Sequence, residues 1–305
     1  MHHKKSGHTV QVSMLVPLQT TATHAFRNAK DIRNQKMMHF AQTKELGKQM
    51  SCVRQWKSWL IYILVAALVV PLVVWTALAM AGTIWIDNDK LKAFNTQIVA
   101  GSTATGATGA SGQRTVRLQD MPAYVTEALL AIEDHRYRMH LGVDPIAIVR
   151  SVWVNVAKQK KAQGGSTVTM QLARNLFLSH DKTYSRKIKE IAIAAHLELK
   201  YSKQDILEMY MNKVYFGQGQ YGIENAARTY FGKTTRKHGD VPTINVAEAA
   251  MLVGLLKAPE RINPVKNMEL AVKRQRVVLK RMKDLGWLSE AESQLALAAK
   301  LDKAI

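Results

Sequence analysis

Two carboxylates stand side by side at Glu133 and Asp134, where an apolar run gives way to the polar stretch HRYRMHLG. A positioned carboxylate can take a proton from a hydroxyl and turn it into a nucleophile. Tyr137 and His140 follow Glu133 at spacings of four and three, so on a continuous helix the three would share one face. A second cluster, GGSTVTMQLARN at residues 164–175, is a Gly-Gly turn with hydroxyls that enters a helix carrying Gln171, Arg174 and Asn175. A third, KTYSRKIKE at residues 182–190, holds Lys182, Arg186 and Lys187 ahead of Glu190. Together they supply two glutamates, several hydroxyl and amide donors and at least four cations. That set suits a carboxylate-assisted reaction on a substrate bearing phosphate, because cations stabilise a departing phosphate oxygen. A solvated basic helix with exposed glutamates yields the same residue types, so composition alone leaves both readings open.

The elements that must position these groups are helical. Val125, Leu129 and Ile132 repeat at four and three in the stretch that leads to Glu133. Asp144 and Pro145 form a helix opening, and Ile146, Val149, Trp153 and Val156 make one stripe beyond it. This helix is basic and amphipathic, which suits either core packing or a bilayer surface. Residues 185–216 divide into two helices, the second opened by Ser202. Residues 245–259 form a core helix ended by Pro259, and the last helix stops at Gly286. Gly217, Gly219 and Gly222 follow no strand, so they mark a turn between helices rather than a phosphate-cradling loop. Residues 234–244 are expected as a polar surface loop. With no sustained period-two alternation and no repeat, the fold class is mainly α.

From Trp59 to Ile86 no charged residue occurs in 28 positions. About 20 apolar residues suffice to cross a bilayer, and a signal peptide has a shorter apolar region and no long polar segment before it. The stretch therefore predicts an uncleaved anchor. Residues 1–58 hold ten Lys or Arg against Asp31 and Glu45, which puts the N-terminus in the cytoplasm and the rest outside. The formal net charge of +20 calls for an anionic partner, and an extracytoplasmic domain excludes nucleic acid. Cys52 is the only cysteine, so no intramolecular disulfide forms. The expected organisation is a cytoplasmic tail over 1–58, a transmembrane helix over 59–86 and a flexible linker over 87–115. A catalytic domain over 116–290 and a C-terminal tail over 291–305 complete it.

In order and spacing, the three clusters resemble motifs of glycosyltransferase family 51. This is the peptidoglycan glycosyltransferase domain of class A penicillin-binding proteins and monofunctional transglycosylases. EDHRYRMHLG is similar to the first motif, GGSTVTMQLARN to the second and RKIKE to the third. Residues 206–233 resemble the fourth and residues 245–264 the fifth. The resemblance implies a lysozyme-like helical fold with a small membrane-associated subdomain. It also implies a reaction: the 4-hydroxyl of lipid II attacks a lipid-linked glycan strand with inversion and releases undecaprenyl pyrophosphate. Carried over by motif position, Glu133 is the base and Glu190 the second glutamate. Arg174 and Lys182 would meet the diphosphate, with Arg186 and Lys187 as further candidates for the same contact. Gly165, Ser166, Thr167, Gln171 and Asn175 would contact substrate, as would Asp134, Tyr137 and His140 in the first motif, where Asp134 and His140 organise the site rather than react.

The resemblance further admits a divalent cation, Mg or Mn, and no organic cofactor. It implies the membrane and proteins of a cell-wall synthesis complex as partners, and moenomycin as a ligand. Arg174 replaces a common lysine, Lys182 a common arginine and Tyr137 a common phenylalanine; every charge is kept, but bidentate and point-charge geometries are exchanged. Three rivals remain. A bifunctional penicillin-binding protein with a shortened reading frame would keep this chemistry. A glycan-cleaving lysozyme-like enzyme has no use for the cations, and a non-catalytic scaffold has no use for Glu133 and Glu190.

Overall fold

The computed structural model describes residues 19–102, 114–159, 164–179, 181, 183–299 and 301. They form two units, one ending at Pro71 and the other beginning at Leu72. Helix α1 (Gln19–Gly82) supplies the described part of the first unit and enters the second. Gln55–Trp85, the end of this helix with the short 3-10 turn that follows, is a stretch of 31 residues with mean hydropathy 2.6, long and apolar enough to cross a membrane.

In the second unit, the sequence of the expected linker departs from expectation. Asn88–Ser102 is a helix, α2, because Leu91, Phe94 and Ile98 recur at helical spacing and bury that face in the core. Residues 103–113, the Gly, Ser, Thr and Ala stretch, lie outside the described residues. The core helices follow in order: α3 (Ala123–Glu133), α4 (Pro145–Ala157), α5 (Val168–Phe177), α6 (Tyr184–Lys200) and α7 (Lys203–Lys213). Then come α8 (Ile223–Phe231), α9 (Val246–Leu255), the short α10 (Pro259–Ile262), α11 (Met268–Asp284) and α12 (Glu290–Ala298). No strand occurs among the described residues, only two isolated bridges. The expected C-terminal tail is therefore helical in part. Ser289 opens α12 with a capping box, and Ala296 is buried.

The centre is α9. Every residue from Ala247 to Leu255 is buried, as a helix apolar on all sides requires. It packs against α11 and α3, while α5 packs against α6 and α7. Ser202 caps α7 through a reciprocal pair with Asp205, as its position suggested. The α4 stripe is not a core face. Ile146, Val149, Trp153 and Val156 are 54%, 70%, 75% and 71% exposed, so of the two expected uses core packing is ruled out.

Residues 234–244 are more than a surface loop. Thr234 and Thr235 are fully buried, with their hydroxyls donating to Glu224 at 2.8 and 2.6 Å. Lys237 N donates to Asp120 O at 2.7 Å, Arg236 Nη2 to Thr115 O at 2.7 Å, and Tyr124 OH to Ile244 O at 2.5 Å. The segment clasps the first turns of the domain.

Candidate active site

Helix α3 ends at Glu133, which corrects the expected shared face. Asp134 leaves the helical region, Tyr137 begins a short 3-10 turn and His140 is extended. Breaking the helix there turns Glu133 outward and Asp134 inward. Buried Asp134 accepts from His140 Nε2 at 3.0 and 3.1 Å and from Val168 N, the first residue of α5, at 3.0 Å. One carboxylate thus fastens the first motif to the second. Tyr137 is buried, donates to Lys203 O at 2.8 Å and lies under the Lys203 ammonium. Its extra hydroxyl, compared with phenylalanine, is spent on that carbonyl.

Glu133 lines a cleft of about 770 Å³ with His135, Arg150, Ser166, Gln171, Arg174, Lys257, Arg274 and Arg281. Among the described lining residues it is the sole carboxylate, and it shares the cleft with five Lys or Arg side chains. Gln171 Nε2 donates to Glu133 Oε2 at 2.8 Å, and Tyr210 OH donates to Gln171 Oε1 at 2.9 Å. The carboxylate is therefore oriented from one side. Burial raises the Tyr210 hydroxyl well above its ordinary value and the charge of Glu133 adds to it, so Tyr210 remains a donor. Burial lowers the Arg274 guanidinium while Glu133 opposes the change. His135 is also lowered, first by burial and then by Arg281 and Arg150, which favours the neutral imidazole. Among the described residues, the buried Nε atoms of Arg150, Arg174 and Arg274 find no hydrogen-bond partner. Three such donors around one cleft are a place for an anion with several oxygens.

Gln171 and Arg174 also line a second cavity of about 490 Å³, with Asn175, Tyr210, Lys213, Tyr215 and Tyr221. The two cavities meet at these two side chains. The Gln171 and Asn175 amides, a tilted pair of tyrosine rings 4.8 Å between centroids and the cations Arg174 and Lys213 line the second one.

Other expected contact residues also carry structural bonds. Thr167 is buried, accepts from Met170 N at 3.2 Å as the cap of α5 and donates to Gly142 O at 2.5 Å. A β-carbon on Gly165 would fall 2.9 Å from Ser151 Oγ and 3.1 Å from Ile148 Cα, so the glycine lets the chain pass α4. Glu190 is 1% exposed and has both oxygens engaged, Oε1 by Arg186 and Oε2 by Lys187 at 2.9 Å. Lys187 also donates to Ser166 Oγ at 2.7 Å, which puts Glu190 one contact behind the cleft wall. Lys182 lies outside the described residues. No three His, Cys, Asp or Glu side chains gather as metal ligands among the described residues. With Glu190 fully paired, the residues present do not build a site for the divalent cation expected there.

Sequence reading missed Arg150, Lys257, Arg274 and Arg281. A usable signal existed: Arg274 and Arg281 are seven apart, two turns on one face of α11.

The model of the family described as Transglycosylase matches residues 101–283. The chain belongs to the transglycosylase family. This transglycosylase domain is 45% identical over 183 residues to penicillin-binding protein 1A of Vibrio cholerae, covering 60% of this chain and 22% of that protein. It is 46% identical over 182 residues to a candidate transglycosylase of Cupriavidus necator, covering 60% and 76%. Penicillin-binding protein 1A of Escherichia coli is 44% identical over 177 residues, covering 58% and 20%. The crystal structure of penicillin-binding protein 1A from Haemophilus influenzae aligns with TM-score 0.36 and 24% identity, over 63% of this chain and 18% of that one. The transglycosylase chain thus spans about a fifth of the length of the penicillin-binding proteins it matches.

Proposed function

We propose that this transglycosylase polymerises lipid II into glycan strands in bacterial cell-wall synthesis. Glu133 takes the proton of the acceptor 4-hydroxyl, the oxygen attacks the anomeric carbon of the lipid-linked strand with inversion, and the diphosphate leaves with the bonding electrons. A positioned base contributes ~10² to 10⁴ in rate. The diphosphate needs charge stabilisation more than a proton, and Arg174, Arg150 and Arg274 supply it beside the base. The observation that carries this reading is a lone carboxylate held by Gln171 in a cleft of five cations. No organic cofactor enters the step, and a Mg or Mn ion would travel with the diphosphate as its counter-ion.

The apolar stretch Gln55–Trp85 supports a single-pass anchor in the cytoplasmic membrane. The basic N-terminal tail supports a cytoplasmic N-terminus with the catalytic domain outside. The exposed α4 stripe suits contact with the bilayer that supplies the substrate. Other cell-wall synthesis proteins are the proposed partners. A bifunctional penicillin-binding protein shortened to this domain would catalyse the same step. A glycan-cleaving enzyme is disfavoured because neutral polymer leaves five cleft cations without purpose.

The test is purified protein with lipid II. Wild type is expected to make glycan chains, and Glu133→Gln to bind lipid II without polymerising it. Chain growth persisting in Glu133→Gln would remove this reading.

A further inference from the structure

A helical stripe outside the residues matched by the family model ties the apolar helix to the site. Trp75, Leu78, Ala79, Gly82 and Ile86 recur at spacings of one, three and four and are partly or fully buried. Thr76, Ala77, Met80, Thr83 and Ile84 between them are exposed, as are Val73 and Val74 just before. A simple tether surrounded by lipid would have no such sidedness.

The buried face has backbone partners. A β-carbon on Gly82 would lie 2.3 Å from the carbonyl oxygen of Ala192 on α6 and 2.7 Å from its carbon, atoms that cannot swing aside. Trp75 Nε1 donates to Leu141 O at 3.1 Å, in the loop that closes the first motif. The next residue, Gly142, has φ +85°, and a β-carbon there would meet Ala194 O at 3.0 Å. Its carbonyl receives the Thr167 hydroxyl at 2.5 Å. Thr167 caps α5, and the following Val168 N donates to Asp134, the neighbour of Glu133. A few steps farther along the chain, Lys189 of α6 lies 5.5 Å over the Trp85 ring.

We propose that the end of the apolar helix is part of the catalytic frame. Gly82 and Trp75 act as positioning residues that lock Trp75–Ile86 onto α6 and the Leu141–Gly142 turn, and through Thr167 and Asp134 fix the setting of Glu133. The proposal rests on the polymerase reading for its activity readout, but the docking itself can be measured apart from it.

The experiment uses the full chain in lipid nanodiscs, with lipid II turnover and amide hydrogen exchange measured on the same samples. Gly82→Val forces the helix off Ala192, and Trp75→Phe removes one N–H while keeping the ring. Each is expected to lower kcat ~10-fold or more with KM little changed, since small displacements of a base are costly. Exchange should rise at Leu141–Val143 and Ala192–Ala194, while Val73→Ala on the exposed face changes neither readout. Wild-type kcat in Gly82→Val, or a lower kcat without faster exchange at those amides, overturns the proposal. Should Gly82→Val fail to fold, Trp75→Phe decides by the same two criteria. A wild-type chain inactive on lipid II would sink the polymerase reading, and the exchange data would then judge the docking by themselves.

Discussion

The amide of Gln171 donates to Glu133 at 2.8 Å while its oxygen accepts from Tyr210 at 2.9 Å. Reversing the amide would set its oxygen against a carboxylate, so the Tyr210 hydroxyl fixes which way Gln171 faces. Gln171→Leu would leave a fully buried tyrosine hydroxyl without an acceptor and Glu133 without its orienting bond. Stability should fall by about 1–3 kcal/mol and turnover by roughly tenfold or more. Thermal unfolding and lipid II turnover check the two parts separately.

The cleft cations should act on substrate binding first. Arg274→Gln or Arg281→Gln removes a guanidinium from the cavity that Glu133 lines. Charge-assisted hydrogen bonds are worth about 1.5–3 kcal/mol, so KM should rise on the order of tenfold to a hundredfold. The rise should shrink at high salt, because screening weakens the wild type most. Titrating lipid II at two ionic strengths measures both effects.

Glu190 is expected to hold its neighbours rather than react. Glu190→Gln leaves Arg186 and Lys187 facing each other across a neutral side chain at a position 1% exposed. A fully buried pair broken on one side costs about 3–5 kcal/mol, but the Lys187 side chain is 38% exposed, so about 1–3 is expected here. Turnover should survive in part, unlike Glu133→Gln. Chemical denaturation alongside single-turnover kinetics tells the two glutamates apart.

Stability should fall at alkaline pH. Burial raises the Tyr137 hydroxyl far above its ordinary value of 10.0, and nearby Glu198 and Asp134 push the same way. The folded state then keeps a proton that the unfolded chain gives up. Its contribution is complete below pH 10 and lost as pH climbs toward the folded value. Tyr137→Phe should lose about 1 kcal/mol at pH 8 from the missing bond to Lys203 O, yet decline less steeply above pH 10. Melting temperatures between pH 8 and pH 11 check the crossing slopes.

Much of this site could be read along the chain because its first three clusters are compact and carry distinctive residue types. Glu133, Ser166, Gln171, Arg174 and Asn175 do line the cavities. Arg150 and Lys257 were illegible, because a basic residue on an amphipathic helix looks the same facing water or facing a cleft, and for Arg274 and Arg281 the spacing of seven marks a shared face without saying what that face meets. Only packing against α3 and α9 turns α11 inward. Thr167 and Gly165 carry structural roles that the motif does not announce. A hydroxyl and a glycine beside a phosphate-type motif suggest ligand contact, whereas backbone geometry uses them to cap α5 and clear α4. The linker was misjudged at Leu91, Phe94 and Ile98, whose period of three to four is short and flanked by polar residues. The α4 stripe was legible as a pattern, and its surroundings alone decided its use.

The clasp of residues 234–244 over Thr115, Asp120 and Tyr124 sets a timetable for biosynthesis. Those bonds join partners as much as 121 residues apart, so this clasp cannot close over the opening turns until Ile244 has left the ribosome. At ~5–20 residues per second, translation of that interval takes roughly 6–24 s. Through that interval the nascent chain must keep Val116, Met121 and Val125, fully or nearly fully buried at the end, out of reach of other apolar surfaces.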